Sequence, residues 1–397
     1  MAKLLIRNPH SEIRNGENPM RLVLATLLML LVATACLTQK SEKSTARTGT
    51  GGQANTGAQT ATTDQSAGTP ASPTSFVKVF RGNIGEHPIE MKLQREGENL
   101  SGTYSYDGKS QSLTLKGRID AQGKLALQEF DATGKQTGKF DCQYSEEPLE
   151  GPSATIDGNW SALDGKNESY VYLVEQLDKF VSGLQIVPKS IKERRFQIEA
   201  TYPQLTGSNE RAITDFNQRA ASIVEKAVRE FKSIKPDPNK SSYTTNYNVM
   251  LATNDLVSVE INEDSYEGGA YPNSAHYALT YDLRAGRELS IEALFKPGTD
   301  YKTAIRQYSA RNMNERIKQE NEKEGKKYNP DEGPSFSAED SDLENWGSWA
   351  MSRQGVFVYY DLPHVVAALD RVFIPYSALK DYINPSGPAA AFLNEKR

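Results

Sequence analysis

One stretch of the chain concentrates acidic and aromatic groups: Glu263-Asp264-Ser265-Tyr266-Glu267-Gly268-Gly269. Carboxylates this close together offer oxygen ligands to a hard cation such as calcium, or acceptors on a recognition loop. The alternating ligand spacing of a calcium loop is absent. A long hairpin whose Gly268-Gly269 pair supplies positive φ angles accounts for the same residues without chemistry. His276 follows, and it would act as a general base if Glu263, Asp264 or Glu267 lay within hydrogen-bond reach. No Gly-x-Ser-x-Gly motif supplies a nucleophile for it. A lone histidine beside a strand is more often structural. The four histidines, His10, His87, His276 and His364, form no His-x-x-x-His pair, which argues against a zinc hydrolase of that type. Tyr266, Tyr271 and Tyr277, with Trp346 and Trp349, are candidates for an aromatic platform under sugar rings or a protein partner. From this inventory no catalytic residue, no metal and no cofactor is expected. The binding candidates are Glu263, Asp264, Tyr266, Glu267, Gly268, Gly269, Tyr271, His276, Trp346 and Trp349.

The elements around these residues read as mixed α and β over 180–390. Phe196 to Tyr202 alternates as a strand, and strands return at 243–251, 256–261 and 276–283. From Asn209, a plausible cap, to Phe231 the apolar residues Ile213, Phe216, Ala220, Ile223, Ala227 and Phe231 form one helical stripe. A short helix follows Ser290, and a longer one starts near Asp300 with Tyr301, Ile305 and Tyr308 inward. Residues 319–345 are charged and poor in apolar groups, so a mobile loop is expected there, flanked by Trp346 and Trp349. Two strands, 355–360 and 372–374, and a closing helix over 377–383 complete this domain.

Residues 76–177 have a different rhythm. Short alternating strands such as Ile89-Glu90-Met91-Lys92-Leu93 are separated by Asp107-Gly108, Gln122-Gly123, Thr133-Gly134 and Asp164-Gly165 turns. A glycine followed two residues later by a large apolar residue recurs at Gly82, Gly102, Gly117, Gly138 and Gly158. About eight strands closing into an up-and-down β-barrel are expected, followed by the α+β domain. The stretch resembles the small lipocalin- or avidin-like barrels of exported bacterial proteins. That resemblance implies a ligand cavity near Trp160, Tyr104 and Tyr106, whereas small barrels commonly fill their interiors with side chains. Cys142 is expected to be a buried apolar residue at a strand end.

The chain has 397 residues and a formal net charge of -5, which gives no basic footprint for nucleic acid. Its two cysteines, Cys36 and Cys142, cannot make a disulfide framework or a Cys-rich zinc site. Leu22 to Ala35 is an apolar run broken only by threonines. It is too short for a comfortable membrane span, which needs ~20 residues, and fits the core of an export signal. Ala33-Thr34-Ala35-Cys36 resembles the lipobox of bacterial lipoproteins, which implies cleavage before Cys36 and a membrane anchor on its thiol. Met20-Arg21 makes a compact positively charged start, so Met20 rather than Met1 is expected to begin the precursor. Residue 37 is Leu rather than Asp, which by the same resemblance favours the outer membrane in a Gram-negative cell. Residues 1–36 thus read as leader and signal. Residues 37–75, rich in Thr, Ser, Gly, Ala and Gln, read as a disordered tether with an end-to-end distance of roughly 35 Å.

The second domain also resembles a known family. Phe216-Asn217 on the first helix, the Gly268-Gly269-Ala270 turn with His276 beyond it, and Tyr281-Asp282-Leu283 before Gly286 carry the likeness. So do Leu294-Phe295-Lys296-Pro297-Gly298 and Ile374-Pro375-Tyr376-Ser377-Ala378-Leu379. In that order they are similar to the extracytoplasmic domain shared by the lysozyme-sensing anti-sigma factor RsiV and the non-catalytic part of the peptidoglycan deacetylase PdaC. The resemblance implies envelope binding, with peptidoglycan or a lysozyme-like protein as partner. Neither sigma-factor signalling nor deacetylation carries over, because no segments for them are recognised. A non-catalytic envelope lipoprotein is therefore the expected function. A wall hydrolase using His276 and a barrel that carries a small ligand are the alternatives.

Overall fold

The computed structural model describes residues 75–393 apart from 182, 238, 239, 270, 331, 332 and 345. The export signal, Cys36 and all of the tether except Ser75 lie outside the described residues. So does Ala270 of the family motif. No helix among the described residues is long and apolar enough to cross a membrane.

Ser75 opens a closed barrel of eight antiparallel strands. They are β1 (Ser75–Ile84), β2 (His87–Glu96), β3 (Asn99–Tyr106), β4 (Leu113–Ile119), β5 (Lys124–Phe130), β6 (Gln136–Ser145), β7 (Thr155–Ala162) and β8 (Glu168–Glu175). Each pairs with the next, and β8 returns to β1 with Gly82 opposite Leu173. Period-two alternation builds the interior: in β2, Ile89, Met91 and Leu93 are buried, while Glu90, Lys92 and Gln94 are exposed. The recurring glycines sit within strands rather than at turns. At Gly138 a Cβ would lie 2.5 Å from the Trp160 indole nitrogen, so the missing side chain is what admits that ring.

The barrel interior is filled. Tyr104 is buried against Phe140 and Tyr106 at ring separations of 5.8 and 5.6 Å. Glu129, 3% exposed, lies among them. It accepts hydrogen bonds from Tyr104 Oη at 2.6 Å, Trp160 Nε1 at 2.7 Å and Thr137 Oγ1 at 2.5 Å. The residues offered for a ligand cavity are thus engaged with one another. Cys142 is buried inside β6, short of its end, and burial pushes its thiol up to about 12.

The α+β part has four layers. A six-stranded sheet runs in the order β14-β13-β12-β11-β10-β9, built from β9 (Gln185–Glu193), β10 (Ile198–Thr206), β11 (Ser242–Ala252), β12 (Leu256–Tyr266), β13 (Asn273–Asp282) and β14 (Arg287–Glu288). Helix α1 (Arg211–Ser233) covers one face, with Ile213, Phe216 and Ala220 against Val257, Val259 and Leu279. A three-stranded sheet, β15 (Trp346–Met351), β16 (Gly355–Tyr360) and β17 (Arg371–Pro375), covers the other through Phe357, Tyr359 and Phe373. Its outer face, with Val356, Val358 and Ile374, packs with helix α2 (Tyr301–Lys323) through Ile305 and Met313.

β11 pairs with β10 only from Tyr243 to Thr245, leaving the rest of that edge without a strand. The segment after the barrel occupies it. Leu177 N donates to Val249 O at 3.0 Å, Val249 N to Gln176 Oε1 at 2.7 Å, and Ala252 N to Asp178 Oδ2 at 3.0 Å. An edge of buried backbone is thereby satisfied, and the barrel is tied to the sheet. From the barrel, Arg81 places its guanidinium 4.2 Å from the Tyr247 ring and binds Asp107 at 2.5 Å.

Several local expectations are corrected. Val224 and Val228 join the buried stripe of α1, with Ile223 only half-buried. The residue preceding α1 is Glu210, whose side chain makes no capping hydrogen bond, so Asn209 is not the cap. α2 extends to Lys323 before the expected loop gives way to coil, with Leu343 buried in a short 3-10 turn. Asp300 caps α2 by accepting from Thr303 N at 3.3 Å. The closing helix is a single turn, α3 (Tyr376–Leu379), because Ile383 leaves it to bridge Phe295.

Candidate functional site

The acidic cluster is not a loop down to Glu263. β12 continues through Tyr266, paired on both sides, with Glu263 opposite Thr245 and Ala275. Strand alternation therefore separates its members. Glu263 faces the α1 side, accepting from Tyr243 Oη at 2.8 Å and Tyr277 Oη at 2.9 Å. Burial raises its pKa, and the two tyrosine hydrogen bonds only partly offset that rise. Asp264 lies on the opposite face, where it remains exposed; partial desolvation by its neighbours pushes its pKa up, opposed by the charge of His276. Glu267, Gly268 and Gly269 are exposed in the turn, where Gly268 adopts φ +90°. Tyr266 donates to Gly269 O at 2.8 Å, which closes that turn. Tyr271 lies 5.1 Å from the His364 ring.

His276 shares the Asp264 face and enters a buried ionic cluster. Its Nδ1 is 2.7 Å from Asn262 Oδ1 and 3.7 Å from Glu260 Oε1, and its Nε2 is 3.4 Å from Asp370 Oδ1. The ring stacks on Tyr359 at 5.3 Å. Arg371 Nε donates to Glu260 Oε1 at 2.8 Å, and its Nη1 donates to Glu150 O at 2.9 Å. Burial alone would lower the pKa of His276. The Asp370 hydrogen bond and the Glu260 charge outweigh it and raise the value, against Arg371. For Glu260, burial works upward, but Arg371 and His276 hold the carboxyl below its ordinary range. Both imidazole nitrogens thus face acceptors, an arrangement that favours the doubly protonated ring.

This cluster was not legible in full. His276 was named, but Glu260, Asp370 and Arg371 were missed. The sequence hid it: Ser258, Glu260, Asn262 and Asp264 alternate with Val257, Val259 and Ile261, a pattern that reads as the solvent face of a half-buried strand. Among the described residues no group of three or more His, Cys, Asp and Glu is arranged to hold a metal ion.

Trp346 and Trp349 do come together. Trp346 pairs with Tyr360, Ser348 with Tyr359 and Trp349 with Val358, so Gly347 is an extra residue in the ladder. In a regular strand residues three apart point to opposite faces. The bulge restores a common face, and both indoles lie against the cluster containing Leu289, Ile291, Val358 and Tyr360. Ser348 turns the other way and donates to His276 O at 3.2 Å. Between β14 with the following turn and β15 lies a groove of about 410 Å³, lined by Glu288 to Glu292 on one side and Trp346 to Trp349 on the other. It is a shallow depression, largely open to solvent. Burial acts to raise the Glu292 pKa. Hydrogen bonds from its own backbone N–H, Tyr301 and Ser290, with the charge of Lys302, prevail and hold it below the ordinary value. The five aromatics do not form one platform, since Tyr277 lies across the sheet and Tyr271 is beside His364.

Part of this domain is similar to a known family. Residues 190–274 match the family model of the deacetylase PdaC. This bears out the resemblance drawn from the motifs. The PdaC-type stretch runs from the end of β9 through β10, α1, β11 and β12 into β13. It contains Glu260, Glu263 and Asp264 and stops short of His276, Trp346 and Trp349. No curated protein matches the chain. Among solved structures, a member of the DUF3298 family from Bacteroides fragilis is 16% identical, with 54% of this chain and 97% of that one covered at a TM-score of 0.36. A DUF3298 family protein from Pseudomonas aeruginosa is 17% identical, with 51% and 94% covered at a TM-score of 0.35.

Proposed function

We propose that this chain is a non-catalytic lipoprotein of the bacterial cell envelope. It is anchored by lipid on Cys36 and uses its C-terminal domain to bind a cell-wall component or a lysozyme-like or other envelope protein. The observation that carries the non-catalytic reading is the setting of His276. A histidine whose two ring nitrogens are engaged by Asn262 and Asp370, with Glu260 behind it, has both nitrogens committed within the fold rather than turned toward a substrate. The PdaC-type stretch and the lipobox support the envelope assignment, and the polar tether gives the folded part its reach from the membrane.

The decisive test is binding by the purified mature chain. Titration with soluble muropeptides and with lysozyme should give saturable heat with at least one of them, with the titrant recovered unchanged. Failure to bind either removes the partner assignment. Turnover of muropeptides that is lost in His276→Ala would establish the hydrolase alternative instead.

A further inference from the structure

The barrel carries a polar pocket of about 260 Å³ at the end away from Trp160 and Glu129. Strand alternation points Arg95 inward in line with Ile89, Met91 and Leu93, and Tyr144 inward in line with Phe140 and Cys142. Arg95 lies opposite Phe76 across β1 and β2, and Phe76 stacks on Tyr144 at 5.4 Å, so the three meet at one rim. The turn Asp120–Gly123 is held against them, with Tyr144 N donating to Gly123 O at 2.8 Å.

The polar groups on the pocket wall are only half used. Arg95 is 9% exposed, and its Nε donates to Gly97 O at 2.8 Å. Among the described residues its two Nη groups have no hydrogen-bond partner and no carboxylate at ion-pair distance. A guanidinium this deeply placed is costly unless something meets its charge. The acids are engaged through one oxygen each. Glu146 Oε1 accepts from Lys78 Nζ at 2.9 Å and from Tyr144 Oη, and Asp120 Oδ1 accepts from Gln122 N at 2.9 Å and Lys124 N at 2.8 Å. Glu146 Oε2 and Asp120 Oδ2 accept from no described residue. Free donors and free carboxylate oxygens thus line one small space. A simple anion would suit Arg95 and be repelled by the acids, and a simple cation would meet the reverse. A molecule carrying both charges satisfies both walls.

We infer that this pocket binds a small zwitterion, an α-amino acid either free or as a short peptide. The carboxylate takes the two Nη groups of Arg95 in a forked pair. The ammonium faces Glu146 and Asp120. The pocket lies wholly in the barrel, outside the PdaC-type stretch, and does not depend on the partner proposed for the C-terminal domain.

The test is calorimetric titration of the mature chain at pH 7 with alanine, trialanine, alaninamide, N-acetylalanine and inorganic phosphate. Alanine or trialanine is expected to bind at least tenfold more tightly than each of the other three, and the tighter of the two tells the free amino acid from the peptide. Arg95→Gln should weaken that binding tenfold or more, and Arg95→Lys should recover part of the loss. Equal affinity for alaninamide, or an unchanged affinity in Arg95→Gln, overturns the carboxylate contact. Equal affinity for N-acetylalanine overturns the ammonium contact. Phosphate binding as tightly as alanine and trialanine, or no saturable heat with any probe, overturns the zwitterion site. The ligand series is read on the wild type, so it decides the matter even if a variant at Arg95 fails to fold.

Discussion

Arg371 on β17 donates through Nε to Glu260 on β12 at 2.8 Å, joining two sheets across 111 residues of chain. Glu260 is fully buried, so this contact offsets a desolvation cost that the carboxylate could not otherwise meet. Removing one partner is the costly change. Arg371→Met should destabilise the protein by about 3–5 kcal/mol. Arg371→Met with Glu260→Met should recover most of that loss. Urea unfolding of the wild type, both single variants and the double variant measures the coupling directly.

The same cluster sets a pH dependence with two limbs. The folded pKa of His276 is raised above 6.5, so its contribution is fully present below the unfolded value and is lost as pH rises through the folded one. That of Glu260 is lowered below 4.5, so its contribution is present above the unfolded value and is lost as pH falls through the folded one. Urea midpoints measured across pH should fall on both sides, and His276→Gln should flatten the alkaline limb and shrink the acid limb as well, because His276 helps hold Glu260 down. An unchanged alkaline limb in that variant would place the titration elsewhere.

Inside the barrel, Glu129 accepts from Tyr104, Trp160 and Thr137, and among the described residues it forms no ion pair. Glu129→Leu strands Tyr104, Trp160 and Thr137 and should cost on the order of 3 kcal/mol. Glu129→Gln keeps an acceptor and should cost less. Gly138→Ala attacks the same arrangement sterically, because its Cβ would meet the Trp160 ring. It should cost roughly 1–3 kcal/mol and shift tryptophan emission to longer wavelength.

Anchoring is tested separately. Cys36→Ser in cells should move the protein from the membrane fraction to the soluble one without altering its fold. A variant that stays in the membrane fraction would contradict lipid attachment at this cysteine.

Much of the architecture was legible because it depends on periodicity. Ile89, Met91 and Leu93 alternate whatever their surroundings, and Phe216 and Ala220 keep helical spacing. The site was less legible because it depends on parity and on distant partners. His276 and Tyr277 are adjacent in sequence, yet one meets Asp370 and the other Glu263 on opposite faces of the sheet. The shared face of Trp346 and Trp349 depends on one extra residue, Gly347, whose bulge is set by the register against β16. Arg371 reads as an ordinary charged residue before a strand until β17 brings it over Glu260.

Binding and catalysis are separated by a single titration. Purified mature chain is titrated with soluble muropeptides and lysozyme, and the titrants are afterwards analysed by mass spectrometry. Saturable binding of at least one of them is expected, with titrants of unchanged mass in both the wild type and His276→Ala. Cleaved or deacetylated muropeptides from the wild type, absent with His276→Ala, would contradict it.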